Sequence, residues 1–198
     1  MQLLMIVITA YLIGSIPSAY LIARTYKNID IRSAGSGNVG GMNTYSVVGL
    51  FPGIITVLLD MAKGAAAVYI ATIITDIAYF TLVAGALSVL GHNFSIFIRF
   101  KGGKGLATTA GAFLVLSPLS IFYAIICAIV LTIILKDTNT AFGSASLTIP
   151  IILAFQYSSV EWVIFGIALA AIMTVKHLPD FQSYRKGRRK VLPEKVKS

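Results

Sequence analysis

Charge is scarce in this chain, and negative charge is scarcest: seven Asp and Glu stand against sixteen Lys and Arg in 198 residues, and charged residues of both signs make up only 12%. So little charge cannot keep a chain that is 57% hydrophobic in water, which excludes an ordinary soluble globular protein. There is one cysteine, Cys127, inside an apolar run. No disulfide can form within one chain, and the thiol reads as a packing residue. The two histidines, His92 and His177, have no Cys/His cluster or paired carboxylates around them; metal-site spacing is absent, so no metal and no cofactor is called for. Phe97 and Gln182 stand five residues after these histidines, so the His-x-x-x-x-Asp pair of a common acyltransferase class is missing. No GxxxxGK followed by Ser or Thr occurs, which leaves a nucleotide P-loop unsupported. The first apolar run, Met1 to Ala23, has no basic residue before it and no small-residue cleavage site. It is expected to be a retained helix rather than a signal peptide.

What the chain does have is apolar length. A mean hydropathy of +0.87 and repeated apolar runs place it among all-α polytopic integral membrane proteins. Turn signals divide the runs into about seven transmembrane helices, near residues 3–24, 50–74, 78–98, 104–117, 118–135, 143–157 and 160–176. The fourth and sixth are short for a bilayer, so each is expected to start deep in it or to be re-entrant. Residues 1–198 are read as one membrane-embedded domain, with 180–198 a basic tail. Arg24, Lys27 and Arg32 follow the first span, Arg99, Lys101 and Lys104 the third, Lys136 the fifth, and a basic run from Lys176 to Lys197 the seventh. Fifteen of the sixteen Lys and Arg thus share one face, which the positive-inside rule makes cytoplasmic, with the N-terminus outside and the C-terminus inside. A hairpin at Ser117-Pro118 is needed to keep Lys136 on that face. Tyr157 and Trp162 fall at the opposite interface.

Two glycine-rich loops lie on the basic face. Residues 32–46 read RSAGSGNVGGMNTYS, and residues 91–111 read GHNFSIFIRFKGGKGLATTAG. Gly35, Gly37, Gly40, Gly102, Gly103 and Gly105 let the backbone reach positive φ and aim successive N–H groups at one point, as an anion nest requires. Lys101 and Lys104 add charge beside them, and Lys104 opens an apolar helix whose first-turn N–H groups are free. Ser36, Asn38 and Asn43 supply neutral hydrogen bonds. The alternative is that both are ordinary flexible loops. In the second span Asp60 and Lys63, three residues apart, share a helix face and are expected to pair or to meet a polar cavity. The basic C-terminal run is explained by orientation and anionic lipid headgroups, so nucleic acid is not an expected partner.

The stretches GSGNVGGMN (35–43), LDMAKG (59–64), GHNFSIFIRFKGGKGLAT (91–108) and KHLPDFQSYRKG (176–187) resemble, in order and spacing, the bacterial acyl-phosphate-dependent glycerol-3-phosphate acyltransferases, the PlsY family. The resemblance implies a seven-helix enzyme of the bacterial cell membrane that moves a fatty acyl group from acyl phosphate to the 1-position of glycerol 3-phosphate. The products are lysophosphatidic acid and phosphate, and the expected partners are these two substrates and membrane lipids, with the chain a monomer. It also implies roles: Ser36, Gly37, Asn38 and Asn43 in the first site loop, Lys104 in phosphate binding, His177 in orienting the acceptor, and Ser144 as a retained site serine. Ser36, Lys104 and His177 are the catalytic candidates; Gly35, Gly37, Asn38, Asn43, Lys101, Gly102, Gly103 and Ser144 are the substrate-binding ones. An acyl phosphate carries a good leaving group, so no covalent intermediate is needed, only positioning and charge stabilisation. The chain departs from the family pattern where Ser46 replaces an arginine, Gly41-Met42 replaces Ala-Thr, Ala141 replaces a serine and Asp180 replaces an asparagine. A diverged non-catalytic or altered-acceptor relative that binds an anionic lipid precursor is therefore the alternative. An anion transporter fits less well, because the charges lie on one face rather than at midplane.

Overall fold

The computed structural model describes residues 1–187; residues 188–198, most of the expected basic tail, lie outside it. Among the described residues ten α-helices follow one another: α1 Gln2–Ser15, α2 Ser18–Lys27, α3 Gly41–Val47, α4 Leu50–Ile74, α5 Ala78–Asn93, α6 Leu106–Leu116, α7 Pro118–Leu135, α8 Thr138–Ser146, α9 Ile149–Tyr157 and α10 Val160–Arg185. There is no strand among the described residues. Among the described residues six stretches are long and apolar enough to cross a membrane: Gln2–Lys27, Leu50–Ile74, Ala78–Ile98, Pro118–Leu135, Thr138–Tyr157 and Val160–Arg185.

The sequence boundaries shift in two places, each for a local reason. The first span breaks at Ile16-Pro17, because proline has no N–H to continue the ladder. The freed carbonyls find side chains: Ser95 Oγ donates to Ser15 O at 2.5 Å, and Lys63 Nζ donates to Ile16 O at 2.7 Å. The sixth run begins at Thr138 rather than 143, since Asp137 caps it by accepting from Thr140 N at 2.8 Å. With α9 it makes a 20-residue stretch, so this run is not short. Only the fourth run stays short, as the 11 residues of α6.

Length fixes where α6 ends. Helices α6 and α7 both depart from Ser117. At 1.5 Å per residue α6 rises about 16 Å and α7 about 27 Å, so α6 stops roughly two turns short of its neighbour's far end. The 94–105 segment fills the recess. Gly64 and Gly111 hold α6 against α4: a Cβ on Gly64 would lie 2.1 Å from Thr108 O, and one on Gly111 would lie 1.8 Å from Met61 O. Gly14 and Gly91 clasp α1 and α5 in the same way, against Ser88 O at 2.1 Å and Tyr11 O at 2.3 Å. Small residues let backbones touch where lipid offers no hydrophobic drive between helices. The central core is Leu82, Val89, Phe113, Leu153, Phe165, Leu169 and Met173.

The connections 28–40, 94–105 and 136–137 and the C-terminal turns of α10 meet at one end of the bundle, as Arg32 to Ile98, Gly103 to Val39 and Lys104 to Asn139 and Asp180 show. At the other end Gln2 Nε2 donates to Ile74 O at 3.1 Å, and Tyr157 stacks on Trp162 at 3.9 Å between ring centroids. Gly111→Ala should destabilise the bundle by about 2 kcal/mol, the usual cost of overpacking. Thermal unfolding in detergent measures this; an unchanged midpoint would mean that α4 and α6 do not meet at Gly111.

Candidate functional site

Asn43 organises the first loop. Its Nδ2 donates to Ile31 O at 3.2 Å, Ala34 O at 3.0 Å and Asn38 O at 2.9 Å, while its Oδ1 accepts from Ser36 N at 2.9 Å. Two amide hydrogens shared among three carbonyls leave none for a ligand, so this buried side chain shapes the loop instead of reaching outward as its sequence position suggests. Gly35 and Gly37 do adopt positive φ, +58° and +72°. Gly40 is extended, at φ −167°. Ser36 sits exposed at the tip, where its Oγ accepts from Asn38 N at 3.4 Å and keeps its hydrogen for another partner. Arg32 is committed to Asp30, through Nε to Oδ1 at 2.9 Å and Nη2 to Oδ2 at 2.7 Å. This two-pronged grip holds the Asp30 carboxyl down at about 2. The same guanidinium donates to Ile98 O at 3.4 Å and ties the two loops together.

Of the second loop's glycines only Gly105 takes positive φ, +84°, as the N-cap of α6, while Arg99 and Phe100 turn the chain at +56° and +60°. Gly102 and Gly103 are glycines for a different reason than a nest: a Cβ on Gly102 would lie 1.9 Å from His92 O, and one on Gly103 would lie 2.2 Å from His92 Nε2 and 2.4 Å from Val39 O. Close approach, not backbone handedness, dictates them. No side chain caps α6, so its first-turn N–H groups remain free donors.

Lys104 projects from this uncapped end. Its Nζ pairs with Asp180 Oδ2 at 2.6 Å and donates to Asn139 Oδ1 at 3.1 Å. His177, one turn before Asp180 on α10, is fully buried. Its Nδ1 lies 2.9 Å from Met173 O, a group that only accepts. The neutral ring's proton therefore sits on Nδ1, and the buried Nε2, which has no partner among the described residues, offers a lone pair. Gly143 of α8 makes room for this ring: a Cβ there would lie 2.9 Å from His177 Cβ. Ser144, the next residue, is half-buried on α8. Lys104 and His177 thus come together with Asn139 and Asp180. Lys101 is exposed and makes no ion pair or hydrogen bond with that cluster.

Sequence reasoning misses Asn139 as the neighbour of Lys104, although Asp137 as a cap two residues earlier is a legible start for α8. It also misses Lys27, which lines a small polar pocket with Ser46 and donates to Val47 O at 3.0 Å. Ser46 itself donates one turn back along α3, to Met42 O at 3.1 Å.

Fold and site together define a class, a polytopic integral membrane protein whose polar functional groups gather at one end of its helices. Residues 4–187 match the family described as glycerol-3-phosphate acyltransferase. The chain is 40% identical to the glycerol-3-phosphate acyltransferase of Desulforamulus reducens, covering 92% of each chain. It is 35% identical to glycerol-3-phosphate acyltransferase 2 of Moorella thermoacetica, covering 97% of this chain and 98% of the other. In three dimensions it is similar to crystal structures of PlsY (YgiH), an integral membrane glycerol 3-phosphate acyltransferase. The glycerol 3-phosphate form superposes with TM-score 0.87 at 30% identity, and the lysophosphatidic acid form with 0.83 at 31%; both cover 95% of this chain and 94% of that one. This protein belongs to the glycerol-3-phosphate acyltransferase family.

Asp180 neutralises Lys104 at 2.6 Å, so an incoming anion must displace a carboxylate. Asp180→Asn should tighten binding of inorganic phosphate about tenfold, roughly 1.4 kcal/mol and within the range of one charge-assisted hydrogen bond. Calorimetric titration measures it, and an unchanged affinity would mean that Lys104 does not hold the anion.

Proposed function

We propose that the protein transfers a fatty acyl group from acyl phosphate to the 1-hydroxyl of glycerol 3-phosphate, giving lysophosphatidic acid and inorganic phosphate. The observation that carries this reading is the meeting of Lys104, the uncapped α6 terminus and the unpartnered Nε2 of His177 beside an apolar cavity. That cavity, about 120 Å³, is lined by Leu106, Ala110, Phe113, Ala124, Phe142 and Ala145 among others, so it begins two residues beyond Lys104 and runs between α6, α7 and α8. Thr109 and Met173, one turn before His177, also line it. A phosphate at Lys104 would leave its acyl chain facing this apolar wall.

The chemistry needs no nucleophile from the protein. The glycerol hydroxyl oxygen attacks the acyl carbonyl carbon, the bond from that carbon to the phosphate oxygen breaks, and the hydroxyl proton finishes on the departing phosphate. His177 Nε2 accepts the hydroxyl's hydrogen bond and fixes its direction. Lys104 and the α6 amides stabilise the negative charge gathering on the leaving phosphate. Ser36, at the tip of the 35–43 loop, donates to a phosphate oxygen. The loop end, which collects the basic residues, is assigned to the cytoplasmic side and the N-terminus to the outside. An altered acceptor is the second reading, favoured by Asp180 on Lys104 and by Ser46 where the family pattern has arginine.

Purified protein in lipid, given acyl phosphate and radiolabelled glycerol 3-phosphate, should form lysophosphatidic acid and should not do so with acyl-CoA or acyl carrier protein as donor. Transfer only to a different acceptor would select the second reading, and no transfer at all would refute the proposal. Lys104→Ala should lose about 2 to 4 kcal/mol of transition-state stabilisation in kcat/KM, the scale of one preorganised electrostatic contact. Ala124→Phe, which fills the cavity, should raise KM for long-chain donors about tenfold while sparing short-chain ones; equal effects on both would place the acyl chain elsewhere.

A further inference from the structure

Three ionisable side chains are buried beneath the site, and none of them takes part in the chemistry described above. On α4, Asp60 Oδ1 lies 2.8 Å from Lys63 Nζ and 3.5 Å from His92 Nδ1 of α5, and all three side chains are about 6% exposed or less. Asp60 and Lys63 are the pair expected at this spacing, but His92 as third member is new. A buried ion pair is weak evidence for stability, because desolvation offsets most of the attraction. The reason for keeping this one must lie in what it holds.

What it holds is the meeting point of both loops. His92 O, one of the orphan carbonyls at the C-terminus of α5, accepts from Gly103 N at 3.1 Å. The other edge of the imidazole, Nε2, occupies the space that a Cβ on Gly103 would need, and Val39 O of the first loop crowds the same point, 2.4 Å from it. Gly103 is therefore packed against both His92 and Val39, one residue from Lys104. Lys63 also donates to Ile16 O at the break in the first span. The first span, the first loop and the lysine loop all reference one buried cluster.

We propose that His92, oriented by the buried Asp60–Lys63 pair, is a positioning residue that locks the two glycine-rich loops in one register, so that the two phosphate subsites form together. The inference rests on the acyltransferase reading for its kinetic test, but not for its binding test. Loss of the strut releases both loops at once, because the same ring that faces Asp60 also backs the Gly103–Val39 contact.

The experiment compares wild type, His92→Ala and the double variant Asp60→Asn/Lys63→Met, which removes both charges of the pair together. In steady-state kinetics KM should rise about tenfold or more for both acyl phosphate and glycerol 3-phosphate in either variant, with kcat changed less than about threefold, as misplaced binding groups predict. A rise for one substrate only, or a fall in kcat at constant KM, would overturn the shared register. In parallel, melting in detergent with and without glycerol 3-phosphate should show a ligand-induced rise in Tm for wild type that both variants lose. If His92→Ala does not fold, the double variant decides; if neither folds, the cluster serves stability and the proposal fails. An inactive wild type that is still stabilised by glycerol 3-phosphate through His92 would remove the acyltransferase reading and leave the strut standing. Normal KM values in the variants of an active enzyme would do the reverse.

Discussion

A helix of eleven residues cannot cross the hydrocarbon of a bilayer, and the architecture of this protein follows from having one. Because α6 departs from Ser117 beside α7 and stops about two turns early, its N-terminus opens inside the bundle rather than at its surface. Backbone amides that would meet water at the end of a full-length span are instead recessed among protein groups. Gly64 and Gly111 keep that terminus in place by letting α6 and α4 touch backbone to backbone. The 94–105 segment must then descend to reach it, and it carries Lys104 down with it.

The recess decides the electrostatics. A lysine at a bilayer surface is screened and weak, whereas Lys104, 17% exposed, is held between Asp180 and Asn139. Its attraction for an anion is correspondingly stronger, and so is the competition from Asp180. His177 lies one helical turn from that carboxylate, with a lone pair directed by the Met173 carbonyl. A cation, free amides and an oriented acceptor within a few residues of an apolar cavity are what direct acyl transfer from an activated phosphate requires, with no covalent intermediate.

Much of this arrangement is legible in the amino-acid sequence, and the reasons are physical. Apolar length and one-sided charge announce the spans and bring the loops to one face, because lipid permits few other arrangements. The position of Lys104 at the start of an apolar helix, on which its proposed role rests, is also legible. The glycines are readable as necessary, but not for the right reason: Gly35 and Gly37 serve backbone handedness, while Gly102 and Gly103 serve contact with His92 and Val39. Contacts of that kind join residues far apart in the chain and leave no local pattern. For the same reason Asn43 reads as a ligand when its neighbours consume it, and nothing local singles out Asn139. The early start of α8 is hidden by polar residues that a hydropathy reading discards and a capping reading keeps.

The central claim is that one recessed constellation, Lys104 with the first turn of α6, receives the substrate phosphate. A structure of the protein with a non-hydrolysable acyl phosphonate and glycerol 3-phosphate bound tests it most directly. The account predicts phosphonate oxygens of the acyl donor within hydrogen-bond distance of Lys104 Nζ and of the α6 first-turn amides, with Asp180 displaced from the lysine and the acceptor hydroxyl against His177 Nε2. The donor's phosphonate seated instead in the pocket between Lys27 and Ser46, with the Lys104–Asp180 pair intact at 2.6 Å, would contradict it.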